Sequence, residues 1–380
     1  MNTTFTEEQT MLRKSTADFL VGKYPEAKVR EIEESDTGHD PEIWKGMAEL
    51  GWMGLVIPEE YGGMGMTFQD LSIVLEEMGR NIAPGPFFCT VLEGAYPILD
   101  AGSEEQKKEL LPKIASGESI FTLALLEADG ISDASGIAVK AVPKDNSFII
   151  NGTKLFVEQA INANYMIVVT RTRKAASPGD GITLFIVDAK SPGIHCEVIP
   201  TIGMEKLCEV SFKDVAVPKK NMLAALDKGW PIVSKVMERA AIAKASESLG
   251  AMDGIVPMTV AYLNGRVQYD EPLGRFQALQ HIMADMFISL TTSKYLVYEA
   301  VWMESEGLPC ATEVAMAKSY VNQNYKELSR LMIRLYGGNG THREFKPGLY
   351  FRRAKAASIA FGDTGFQREK VARAIGLVSQ

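Results

Sequence analysis

No run of about eighteen uncharged apolar residues occurs in this 380-residue chain, so no segment of it is expected to cross a bilayer as a helix. The start, MNTTFTEEQT, carries no basic stretch followed by an apolar one; that speaks against a secretory leader and makes the cytoplasm the expected compartment. Cysteine is scarce, and Cys89, Cys196, Cys208 and Cys310 form no CxxC or CxH spacing. Their separation argues against a disulfide framework or a zinc site and for a role in core packing. Histidine is equally scarce: His39, His195, His281 and His342 complete no ExxH or HExxH pair, so neither a bound metal nor a di-metal helical bundle is expected. Positive charge is the minority sign, and the net charge is -8. The basic runs Lys107-Lys108 and Arg352-Arg353-Lys355 are short and read as solvated helix faces, so nucleic acid is not an expected partner.

What is present is ample apolar material, 46% of the residues, enough to fill more than one core. In the first third, Thr6 with Gln9, Thr67 with Asp70 and Ser103 with Gln106 place a capping oxygen three residues before an acidic or amide side chain, and Asp40-Pro41 adds a fourth helix start. The glycine and proline turns at 58–63 and 83–86 break these helices. From about residue 120 the segments FIING, YMIVVTRT, GITLFIVDAK, CEVIPT and CEVSFKDVAV are short and β-branched, which predicts strands. Turns are expected at Asp145-Asn146, Asn151-Gly152 and Pro178-Gly179-Asp180-Gly181, at spacings that suit a small antiparallel barrel or sandwich. Helical periodicity then returns over roughly 229–262, 275–306, 311–336 and 366–377, lengths that suit an antiparallel bundle. The expected domains are therefore 1–116 helical, 117–225 a β-barrel and 226–380 a helical bundle.

Five segments, in this order, resemble the acyl-CoA dehydrogenase family: LGWMGLVIPEEYGGMGM, SEEQKKELLPKIASGE, INGTK, RVQYDEPLGRFQALQHIMADM and YGGNGTHRE. The resemblance covers nearly the whole chain, from Gly51 to Gly376. It implies an α+β multidomain fold with an N-terminal helical domain, a central antiparallel β-barrel and a C-terminal four-helix bundle. It also implies FAD, bound partly by the barrel and partly by a neighbouring subunit's bundle. Arg266, Tyr269 and Gln277 match the family's Arg-x-x-aromatic and later Gln, which the resemblance assigns to the pyrophosphate and adenosine regions; Gly337 and Gly338 match as well. A guanidinium forks onto phosphate oxygens, and glycine backbone lets a dinucleotide approach. On the barrel side the chain departs from the family. Leu126-Glu127-Ala128 replaces Thr-Glu-Pro, and Ile131-Ser132-Asp133 replaces Gly-Ser-Asp while keeping Ser132. Phe156-Val157-Glu158 stands where Trp-Ile-Thr or Trp-Ile-Ser faces the isoalloxazine; Phe156 still covers a ring, but Glu158 brings a charge where a hydroxyl donor is usual. Arg334 replaces the Gln before the glycines, and Asp363 and Gly365 replace a Thr and a Gln or Glu.

Removing a proton beside a thioester carbonyl requires a carboxylate in a dry pocket, where desolvation strengthens it as a base. The family's usual base stands just before a glycine in a YEGT-like segment; here that segment is Ala360-Phe361-Gly362-Asp363-Thr364, with Phe361 in the place of the glutamate. A minority resembling isovaleryl- and long-chain-type enzymes carries the base earlier, immediately before an arginine. Met237-Glu238-Arg239-Ala240 occupies that place, so the resemblance makes Glu238 the expected base, Arg239 a residue at the mouth of the acyl pocket, and Asp363 the reserve. By the same resemblance an acyl-CoA is the substrate, electron-transfer flavoprotein is the electron acceptor, and the chain is a homo-oligomer or part of a mixed tetramer with a paralogous subunit. Two other readings stay open: a flavin-poor or half-site subunit lending Arg266, Gln277 and the glycine turn to a partner, and an oxidase or thioester-independent flavoenzyme on the same fold. Phe87, Phe88, Tyr96 and Leu249 are candidates for setting acyl-pocket depth.

Overall fold

The computed structural model describes residues 5–377. Local signals set most of the helix starts. Thr6 with Gln9 and Thr67 with Asp70 close both reciprocal hydrogen bonds of a capping box at α1 (Glu7–Lys23) and α4 (Phe68–Arg80). Between them lie α2 (Glu26–Glu34) and α3 (Pro41–Glu49), the latter capped by Asp40 with proline at its first position. A π-helical segment, Cys89–Ala95, leads into α5 (Tyr96–Ala101), and Ser103 with Gln106 boxes α6 (Glu104–Ala115). Each such cap satisfies backbone N–H groups that the helix itself cannot.

Eight strands follow: β1 (Phe121–Ala124), β2 (Lys140–Lys144), β3 (Ser147–Glu158), β4 (Tyr165–Arg171), β5 (Ile182–Asp188), β6 (Ile194–Ile199), β7 (Leu207–Pro218) and β8 (Met222–Leu223). They make one sheet in the order β6-β7-β3-β2-β4-β5-β8, with β1 paired to β4. The sheet is open, not the closed barrel expected, because its path ends at β6 on one side and at the two-residue β8 on the other. Nor is it purely antiparallel, since β1 and β2 both pair parallel with β4. The turn expected at Asn151-Gly152 is instead a bulge: β3 continues through it against β7, with register shifts at Ile150/Gly152 and Lys154/Val157. At the first shift the extra residue lies in β7, which takes three steps from Val215 to Phe212 against two of β3, so β3 runs on without ending; Gly152 takes a φ of 138° that side-chain-bearing residues avoid. Two of the cysteines expected to stand apart are neighbours on one face of β6 and β7, where Cys196 lies opposite Val210 and Cys208 opposite Val198; both are free thiols.

The four expected bundle helices are present: α7 (Trp230–Gly265), then, after the short hairpin β9 (Val267–Gln268) and β10 (Glu271–Pro272), α8 (Gln277–Ser305) and α9 (Ala311–Tyr336), and, beyond the one-turn α10 (Gly338–Thr341) and α11 (Pro347–Ala357), α12 (Thr364–Ala374). The sequence reading missed α11, because its start, Lys346-Pro347-Gly348, has the composition of a turn.

The described residues divide into two compact units. The sheet unit takes residues 31–66 and 84–237. Its core is one cluster in which Ile57, Ile98, Leu111 and Ile114 meet Phe121, Ile167, Val169 and Leu184 of the strands and Val233 and Val236 of α7. Each such side chain, fully buried, stabilises the unit by roughly 1.5–3 kcal/mol before the entropy cost is subtracted. The bundle unit takes the chain up to Arg30, residues 67–83, and everything from Glu238 onward. There α4 and α7 touch backbone to backbone: a Cβ on Gly79 would meet the Glu247 carbonyl oxygen at 1.7 Å, and one on Gly250 would meet that of Glu76 at 1.7 Å.

Candidate active site

Glu238 is the ninth residue of α7 and is half-buried. It is neither a solvated surface glutamate nor a fully sealed one. The α8–α9 connection brings two further groups to it. Glu304 sits in the last turn of α8, and after Gly307, with a φ of 67°, the chain reverses to place Cys310 at the start of α9. The Cys310 thiol donates toward Glu238 Oε1 at 3.5 Å and Glu304 Oε2 at 3.7 Å. Arg239, buried, donates from Nε to Glu304 Oε1 at 2.5 Å. Burial, and then the charges of Glu238 and Glu304, push the Cys310 thiol up to about 12, so at neutral pH it is a protonated donor. Ligand-type atoms of Glu238, Glu304 and Cys310 lie within 4.8 Å of one another, a proximity that no ExxH or CxxC spacing announced. A cation there would have to displace Arg239 from Glu304 and the proton from Cys310, so the arrangement acts as a hydrogen-bonded network around Glu238.

The alternative carboxylate is committed elsewhere. Asp363 is exposed and caps α12, accepting from the Phe366 N–H at 2.8 Å. Phe361, which the resemblance sets in the place of the usual base, has a φ of 56°, and its carbonyl accepts from Gln367 Nε2 at 2.9 Å.

Elsewhere on the bundle unit, Arg266 follows the end of α7 and is exposed, and Tyr269 lies in the link between β9 and β10 with 88% of its surface exposed. Gln277 opens α8, whose first turn has no side-chain cap. Arg334 is exposed in the last turn of α9, and Gly337 follows it with a φ of 60°. A Cβ on Gly337 or Gly338 would meet nothing within 4 Å, so backbone is open there. Tyr262 draws the end of α7 to this turn: its ring stacks on Tyr336 at 3.8 Å, and its hydroxyl donates to the Tyr336 carbonyl at 3.2 Å and accepts from Asn339 at 3.3 Å. Sequence reasoning missed Tyr262, Glu304 and Cys310, none of which belongs to a motif.

On the sheet unit, the second irregularity of β3 lifts Phe156 out: its φ is 55° and 48% of the residue's surface is exposed, while Val157 beside it is buried. Glu158 is half-buried opposite Leu207. Ser132 is half-buried in the loop before Asp133, which caps a short 3₁₀ turn. Glu127, in the segment where the family's flavin motif is altered, is bound by its own unit: it accepts from the Ala138 and Val139 N–H groups, both at 3.0 Å, and from Lys154 Nζ at 2.7 Å. Burial pushes that fully enclosed lysine down to about 8, and Glu127 opposes the shift. Phe87, Phe88 and Tyr96 are buried in the sheet unit and Leu249 in the bundle unit.

The acyl-CoA dehydrogenase N-terminal, middle and C-terminal domains match residues 6–118, 122–215 and 227–376. Mitochondrial isovaleryl-CoA dehydrogenase of Pongo abelii is 32% identical over 379 residues, covering 97% of this chain and 88% of that protein. A subunit of the caffeyl-CoA reductase-Etf complex of Acetobacterium woodii is 30% identical over 372 residues, 96% of this chain and 97% of that one. Butyryl-CoA dehydrogenase from Megasphaera elsdenii is similar in structure with a TM-score of 0.92 over 99% of this chain and 100% of that chain, at 28% identity. Matched in all three domains and along nearly its full length, this chain belongs to the acyl-CoA dehydrogenase family.

Proposed function

We propose that this chain carries out the FAD-dependent α,β-dehydrogenation of an acyl-CoA with Glu238 as the base. The observation that carries the assignment is the setting of Glu238: half-buried, held at one oxygen by a protonated buried thiol, and next to an arginine whose charge is already matched by Glu304. Asp363, spent as a helix cap, and Phe361 leave no competing carboxylate in the later segment.

The residues fit the cofactor in part. Arg266, Gln277 at the uncapped start of α8, and the open backbone of Gly337 and Gly338 suit the phosphates, and exposed Phe156 suits the ring. FAD, when bound, supplies the acceptor for the hydride that leaves the β-carbon. Glu238 takes the α-proton and becomes neutral. Buried Arg239 and Cys310 lie beside it, and a bound acyl chain would displace the water that still reaches this half-buried carboxylate. Arg239 is engaged by Glu304, so its charge is already matched within the chain. The caffeyl-CoA reductase-Etf relative supports electron-transfer flavoprotein as a redox partner.

A second reading, a half-site subunit of a mixed tetramer, is favoured by Leu126 and Glu158, which put an apolar group and a charge where the family has hydroxyl donors. Turnover of an acyl-CoA panel with a dye acceptor, for wild type and Glu238→Gln, tests the base. The expected loss is about 10³-fold, and turnover near the wild-type level would falsify the assignment.

A further inference from the structure

We infer that Cys310 and Glu304 are positioning residues for Glu238, a thiol and an arginine-matched carboxylate that together hold the base in place; this rests on the reading of Glu238 as that base. Cys310 occupies the N-cap position of α9, where a serine, threonine or aspartate ordinarily turns its oxygen back onto the helix N–H groups. Its thiol makes no such cap bond. It is turned instead to the two carboxylates, while only 2% of the residue is exposed.

A thiol has one proton and serves one acceptor at a time. Glu304 already has Arg239 at 2.5 Å, so the proton of Cys310 is directed to Glu238 Oε1, leaving Oε2 to receive the substrate proton. The charged groups around Glu238 come from three helices: Arg239 beside it on α7, Glu304 from α8 and Lys370 from α12. Glu304 anchors Arg239 and balances its charge, so its loss would leave an unmatched guanidinium beside the base. Cys310 gives Glu238 a hydrogen-bond donor that fixes the geometry of the carboxylate.

The two roles predict opposite movements in one measurement. With a fixed acyl-CoA and dye acceptor, kcat, KM, flavin content and the pH profile of kcat/KM are measured for Cys310→Ala, Cys310→Ser and Glu304→Gln. Cys310→Ala is expected to lower kcat about tenfold, as for a lost hydrogen bond to a charged group, with KM and flavin content unchanged, and to move the acid limb to higher pH. Cys310→Ser, which keeps a donor, is expected to restore both. Glu304→Gln is expected to move the acid limb to lower pH. If the two cysteine variants match wild type in kcat and acid limb, or if Cys310→Ala and Glu304→Gln shift the limb the same way, the inference is overturned. Glu238→Gln separates the two levels: inactivity of that variant beside unaltered Cys310 and Glu304 variants removes only this inference, whereas full activity removes the base assignment beneath it.

Discussion

Lys318, on α9, is fully buried and holds the segment that carries Phe361. Its ammonium donates to Asn322 Oδ1 at 2.6 Å and to the Ala357 carbonyl at 2.8 Å, and Asn322 donates onward to the Gly362 carbonyl at 3.3 Å. Burial first, then Lys244 and Lys326 against Glu247, push Lys318 down from 10.5 to about 7. Between those two values the unfolded chain holds a proton that the folded chain has released, so this group's contribution to stability rises with pH above about 7 and is lost as pH falls through it. In Lys318→Met that rising component between pH 7 and 9 should vanish from the thermal midpoint, as scanning calorimetry would record; an unchanged slope would assign it to other groups. A lysine in an amphipathic helix reads as solvated, and only the fold around it reveals that it is enclosed. The same holds for Cys310 and Glu304, whose relation to Glu238 crosses two helix ends and a turn. Glu238 was singled out in the sequence only because a family pattern stood beside it.

At the scale of elements, the capping boxes of α1, α4 and α6 were readable because both partners lie within one turn. Strands β3 to β7 were readable from their β-branched runs, and Asn151-Gly152 was mistaken for a turn because the bulge that lets β3 run on there belongs to its partner β7, out of reach of local sequence. The contact of α4 with α7 was not readable at all. Gly79 and Gly250 look like weak points in two helices, yet each is the place where the other backbone passes. Alanine at Gly250 should therefore lower stability by ~1–3 kcal/mol or more, the usual cost of overpacking, although alanine ordinarily favours a helix. Gly265→Ala, with nothing within 4 Å of its Cβ, should stay within about 0.5 kcal/mol of wild type. Urea denaturation of the two variants decides this, and equal midpoints would show that α4 and α7 can move apart at no cost.

For the whole molecule, flavin ownership has a direct readout. Purified alone, the chain should be yellow, and Arg266→Ala should lower bound FAD several-fold through loss of a charge-assisted phosphate contact; the ratio of flavin to protein absorbance measures both. A colourless wild type that turns yellow only with a paralogous partner would favour the half-site reading. The order of helices, strands and helices, the membership of the family and the two carboxylate positions worth testing were determined by the sequence alone, because periodicity, caps and motif order are properties of neighbouring residues. The tertiary structure decided that the sheet is open rather than closed, since closure depends on whether β6 and β8 meet and not on the strands' composition. It also decided which side chains surround Glu238, because Cys310 and Glu304 lie some seventy residues further along the chain, and only the packing of α7, α8 and α9 brings them to it.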